Sequence, residues 1–69
     1  MEIKRLNRKS DGKTFRIYDD LPLLGHWYSI EYLEQMNEHF HVWYPLYDTP
    51  KRIPTIEEAE TLLNEICDN

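Results

Sequence analysis

The sequence predicts a single α+β domain over residues 1–69, an antiparallel sheet of three to four strands connected as a meander and packed against one C-terminal amphipathic helix. Three observations predict it. Tyr28, Ile30 and Tyr32, and again Phe40, Val42 and Tyr44, are apolar residues spaced two apart, the period at which strand side chains share a face. Asp11-Gly12 sits between two strand-like runs and tolerates the backbone of a tight hairpin turn. Thr55-Ile56-Glu57-Glu58 has the spacing of a helix N-terminal capping box and opens an apolar stripe.

Residues 2–9 and 13–19 form the first expected hairpin, closed by Ser10-Asp11-Gly12-Lys13. That closure sets Lys9 against Thr14, Arg8 against Phe15 and Leu6 against Ile17. Leu6, Phe15 and Ile17 then share the buried face, with Arg8 at its open end, while Ile3 falls on the opposite face and points to a bulge or an early strand end. Residues 19–26 are a connection, because Pro22 and Gly25 interrupt regular structure. Leu21, Leu23 and Leu24 make it apolar enough to cover one end of the core or to form a contact patch.

The two alternations at 28–32 and 40–44 flank a polar gap at 34–38 that only Met36 breaks. A hairpin pairing Tyr32 with Phe40 places Ile30 opposite Val42 and Tyr28 opposite Tyr44, an aromatic and apolar face. Its other face pairs Leu33 with His39, Glu31 with His41 and Ser29 with Trp43. A helix over the same stretch is the competing reading, since Ile30, Leu33, Asn37 and Phe40 share a helical stripe. The hairpin is preferred because a helix gives Phe40-His-Val-Trp-Tyr44 no reason to alternate. Residues 45–54 hold Pro45, Pro50 and Pro54 and read as an extended connector. Ile56, Ala59, Leu62, Leu63 and Ile66 then define the core-facing stripe of a helix over residues 56–67, whose other side is acidic.

Composition restricts the functional classes. A chain of 69 residues has a thin core, supplemented here by two Trp, five Tyr and two Phe. The single cysteine, Cys67, excludes an intrachain disulfide. No run approaches the length of a membrane span, and the N-terminal residues lack an apolar signal-peptide core, so a cytoplasmic protein without a membrane partner is expected. Net charge is −5, but residues 1–16 carry +4 and residues 17–69 carry −9. Such a dipole bears on partners rather than on fold.

Catalytic patterns are absent: there is no nucleophile elbow, phosphate-binding glycine loop or C-x-x-C. A thin core with two glycines also leaves little room for a substrate pocket, so neither an enzyme nor a cofactor is expected. His39 and His41 share a strand face, but His26 is out of phase with them and Cys67 lies at the far end of the helix, so no metal is expected. The leading expectation is a small regulatory or accessory protein, of inhibitor type, that binds a protein partner or a second copy through the second sheet face. Trp43, Leu33, Trp27 and Glu31 are the candidate contacts, because Trp and Tyr concentrate binding energy. The alternative is a nucleic-acid-binding module in which Arg5, Arg8, Lys9, Lys13 and Arg16 of the basic hairpin follow phosphates. The same cations also suit a hairpin that is merely kept soluble.

Overall fold

The computed structural model describes residues 1–20, 25–46, 49–50 and 52–68. Four strands, β1 (Glu2–Asn7), β2 (Thr14–Asp19), β3 (Tyr28–Gln35) and β4 (His41–Pro45), precede one helix, α1 (Ile56–Cys67). The sheet is wholly antiparallel with order β1-β2-β3-β4, the expected meander. Residues 28–35 and 41–45 are strands, which settles the competing helix reading of that stretch.

The faces follow the sequence pattern; the registers do not. In the β3–β4 pair Tyr32 lies opposite Tyr44 and Leu33 opposite Trp43, whereas the alternation alone had set Tyr32 against Phe40. The reversal sits at Asn37, whose side-chain oxygen accepts from the His39 and Phe40 amides at 2.8 and 3.0 Å. This turn lengthens β3 and moves each partner by four residues. An even slip keeps every side chain on its expected face, so the core composition survives. The expected Glu31–His41 pair does not form; Glu31 faces Pro45 and His41 faces Gln35.

The first hairpin behaves likewise. Leu6 pairs with Phe15 instead of Ile17, because Arg8 pairs with Lys13 and the reversal spans residues 9–12. Gly12 adopts φ 73°, a conformation open to glycine and strained for other residues. The Asp11 carboxylate accepts from the Lys13 amide at 3.1 Å and braces the turn. The register shifts between Glu2 and Lys4, where the stranded position of Ile3 had pointed to a bulge, and Ile3 packs against the core.

The core lies between one sheet face and α1. Ile17 and Ile30, directly opposed on β2 and β3, are fully buried with Phe15, Tyr28, Ile53, Ala59, Leu63 and Cys67. Ala59, Leu63 and Cys67 are four residues apart and form the buried centre of the helix stripe, flanked by half-buried Ile56, Leu62 and Ile66. Ile53 enters through a single bridge to Tyr28, which brings the chain across the end of β3 before the helix begins. The helix meets β1, β2 and β3; among the described residues it makes no contact with β4. The expected role of Leu21, Leu23 and Leu24 falls outside the described residues, as do Tyr47, Asp48 and Lys51 of the proline-rich connector.

Asp19 departs from the pattern. It occupies a core-facing position at the end of β2 and is 1% exposed, while its neighbour Asp20 is exposed on the other side. His26 Nδ1 lies 2.6 Å from its carboxylate, so the buried charge has a polar partner at the core margin.

At the helix start the Thr55 hydroxyl accepts from the Glu58 amide at 3.3 Å. Among the described residues the reciprocal half of the capping box, from the Thr55 amide to the Glu58 carboxylate, is not formed. Thr55→Ala is expected to lower stability by about 1 kcal/mol. The check is urea unfolding, with a lower midpoint and an unchanged slope; an unchanged midpoint would show that the cap contributes nothing.

Candidate interaction surface

The alternation that sends Phe15, Ile17, Tyr28 and Ile30 to the helix sends the intervening residues to the opposite face. Arg16 faces Glu31 across β2–β3, Arg5 faces Arg16 across β1–β2, and Leu33 faces Trp43 across β3–β4. These contacts join all four strands. Arg16 Nε donates to Glu31 Oε1 at 2.8 Å, and Arg16 Nη1 donates to Glu2 Oε1 at 3.3 Å. Arg5 Nη2 donates to the same Glu2 oxygen at 2.7 Å. Two cations and two anions therefore alternate across three strands. The Arg5 guanidinium hydrogen-bonded to Glu2 holds its carboxyl below the usual range, with Arg16 acting in the same direction.

Aromatic rings complete the cluster. The Arg16 guanidinium carbon is 3.9 Å from the Trp43 ring centroid and 4.7 Å from that of Tyr18. Arg5 approaches the same indole at 5.1 Å. Arg16 and Glu31 side chains are only 15% and 18% exposed, so this pair is screened less than an open surface bridge. A planar guanidinium between two rings, fixed also by carboxylates, has little rotamer freedom left to lose.

The structure brings together three of the four expected protein-contact residues. Trp43 and Leu33 form a cross-strand pair, and Glu31 stands on the same face two residues along β3. Trp27 lies apart: six residues from Leu33 at strand rise is about 20 Å. It is half-buried beside the helix start, with the Arg52 guanidinium 5.8 Å from its ring. Arg5 and Arg16, expected among the phosphate contacts, lie in the Trp43 cluster with Glu2 and Tyr18. The signal for those two partners is strand parity and the β1–β2 register: Tyr18 is two residues from Arg16 on β2, and Glu2 lies opposite Tyr18.

The basic hairpin is divided by the sheet. Arg5 and Arg16 are on the second face, tied to carboxylates. Arg8 is at the turn, bonded through Nε to Asp11 Oδ1 at 3.0 Å and lying 5.0 Å over the Phe15 ring. Lys13 approaches the Tyr32 ring at 6.0 Å, and Lys9 is exposed, its backbone amide donating to the Cys67 carbonyl at 3.1 Å. Among the described residues Lys9 and Lys13 have no ion pair.

His39 and His41 are exposed, and among the described residues no group of three or more His, Cys, Asp or Glu side chains is placed to hold a metal ion. Burial pushes the Cys67 thiol pKa up, so it is a poor nucleophile in the folded state. The chain has more concave surface than its thin core led us to expect: a groove of about 440 Å³ runs between α1 and the Ile53-Pro54 segment. The hydroxyl on its lining, Thr61, donates to the Glu57 backbone carbonyl at 2.9 Å. No protein-family model, curated protein or solved structure matches the chain.

The Arg8–Asp11 pair has a measurable signature. The Arg8 hydrogen bond, helped by the Lys13 amide, lowers the Asp11 pKa from 3.8 to about 2. Because the folded-state value is depressed, the contribution of this carboxylate is complete above its ordinary pKa and is lost as pH falls through the window from 3.8 to about 2. An NMR titration of the side-chain carboxyl carbon should give a midpoint near 2 in the native chain, moving back towards 3.8 in Arg8→Ala. A midpoint already at the ordinary value in the native chain would show that the pair is not kept in solution.

Proposed function

We propose that this chain is a small non-catalytic binding protein, of regulatory or accessory type, that engages a protein partner through the sheet face turned away from the helix, around Trp43, Leu33 and Glu31. The observation that carries this reading is the Arg16 guanidinium stacked between Trp43 and Tyr18 and braced by Glu2 and Glu31. Trp, Tyr and Arg are the residues on which binding energy most often concentrates. Side chains already held in place lose less entropy on association than free ones, which favours a surface built this way. Leu33 adds an apolar contact beside the indole. The two arginines and two glutamates balance, so the partner is recognised by shape, stacking and paired hydrogen bonds more than by net charge.

The nucleic-acid alternative has less support from the placement of its residues. Three of its five cations, Arg5, Arg8 and Arg16, are engaged by carboxylates. Phosphate tracking needs cations whose charge is free to replace condensed counterions.

Two measurements test the proposal. Affinity capture with the immobilised chain should recover a protein partner whose binding falls at least about tenfold in Trp43→Ala and in Leu33→Asp, a loss of about 1.4 kcal/mol or more. Glu57→Gln, on the exposed side of α1, should bind as the native chain does. Equal capture by all four chains would refute the assignment to this face. Size-exclusion chromatography with light scattering, run with mixed nucleic acid across a salt series, should show no shift of the chain. A shift at low salt that fades as salt rises would move the function to the basic hairpin.

A further inference from the structure

The sheet has two edges, β1 and β4, and they are unlike. β1 carries Lys4 and Arg5 and is interrupted by the bulge at Glu2/Lys4, both features that discourage pairing with another strand. β4 reads His41-Val-Trp-Tyr-Pro45, with no Lys, Arg, Asp or Glu and no register break. Helix α1 does not reach it.

The backbone directions of β4 follow from the ends of its ladder. The Met36 amide donates to the Phe40 carbonyl at 2.9 Å, and the Leu46 amide donates to the Ile30 carbonyl at 3.1 Å. Phe40 and Leu46 therefore turn their polar groups towards β3. Antiparallel pairing alternates, so Val42 and Tyr44 do the same, while His41, Trp43 and Pro45 turn theirs outward. Pro45 thus sits where its missing N–H costs β3 nothing, as proline does on an edge. The free edge presents the amides of His41 and Trp43 and the carbonyls of His41, Trp43 and Pro45; among the described residues, no partner for these groups lies beyond β4.

We infer that β4 is a self-association edge: two copies of this chain pair β4 against β4 about a two-fold axis at Trp43, making one continuous eight-stranded sheet. In this register the two Trp43 residues exchange both of their backbone hydrogen bonds. Each His41 amide donates to the other copy's Pro45 carbonyl. All four outward amides of the two copies are then satisfied, and the remaining deficiency is one proline nitrogen in each copy, which leaves the facing His41 carbonyl at each end of the seam to water. Side chains agree with the backbone. On the helix side Val42 meets Tyr44 of the second copy, a favourable β-branched and aromatic pair. Phe40, which is 65% exposed in the single chain, meets Leu46 of the second copy. No like charges oppose each other anywhere along the seam. The two-fold keeps both helices on one side and joins the two Trp43 faces on the other, so this edge uses backbone groups that the proposed partner surface does not.

The test is sedimentation velocity on the full chain from about 10 μM to about 1 mM, a range that brackets weak association, together with NMR amide exchange at both ends of it. The expected result is a monomer that becomes a dimer as concentration rises. In the dimer the His41 and Trp43 amides become protected, whereas those of Val42 and Tyr44 are protected at every concentration. Phe40→Lys changes an exposed side chain just before the first residue of β4 and leaves its backbone groups in place; it should weaken the dimer at least about tenfold, with the fold intact by the same exchange pattern. A chain that stays monomeric throughout overturns the inference. So does a dimer in which the His41 and Trp43 amides exchange as fast as in the monomer. Loss of the protein partner in Trp43→Ala with dimerisation retained, or the reverse, shows which of the two surfaces fails.

Discussion

The pairing of β2 with β3 organises the molecule. Ile17 opposite Ile30 supplies the floor on which Leu63 and Ala59 of the helix rest, and Arg16 opposite Glu31, one residue along, supplies the centre of the other face. A chain this small has one helix and can cover one sheet face with it. The ladder therefore sorts residues into those removed from water by the helix and those that must satisfy one another without it. Charged side chains on the face away from the helix do so by alternating sign and lying over rings. Apolar stabilisation scales with area removed from water, at about 25 cal/mol per Å², so the helix side carries most of the stability and leaves the other side free to be specialised.

The sequence reveals which face a residue takes more readily than which neighbour it meets. Tyr28, Ile30, Tyr32, Val42 and Tyr44 show their parity plainly, because period two is a local property. The partner of Tyr32 depends on where the chain reverses, and that was decided by Asn37 binding its own downstream amides, a signal weaker than a glycine turn. The helix was legible almost to the residue, since its cap and its apolar stripe lie within one short segment. The buried carboxylate of Asp19 was not, because an acidic residue beside Asp20 and Pro22 looks like loop. Of the candidate surface, Trp43, Leu33 and Glu31 could be gathered by parity alone. Trp27 shares that parity but lies beyond the end of the strand, and Arg16 reads as one of a run of cations until the β2–β3 ladder sets Glu31 beside it.

The same separation explains why the cations of the basic hairpin do not lie in one patch. Five cations within twelve residues look continuous along the chain. On a two-stranded hairpin they divide between two faces and a turn, and each arginine finds an acid at hand: Glu2, Asp11 or Glu31. The charge dipole of the sequence is little changed by folding: Glu2 and Asp11 are already counted in the +4 of residues 1–16, and among the described residues Arg16–Glu31 is the ion pair that joins the basic segment to the acidic remainder.

The bond from the Lys9 amide to the Cys67 carbonyl joins the first turn of the sheet to the last turn of the helix. Its two residues stand almost at opposite ends of the sequence, so nearly the whole chain must be closed into a loop before it can form. Contacts of that kind give back their free energy only after most of the chain entropy has been surrendered. The β1–β2 and β3–β4 hairpins close short loops, whereas the seating of the helix against the first hairpin closes a long one and carries the larger entropic cost. A sheet assembled before the twelve-residue helix docks would hold its apolar side open to water until that contact closes.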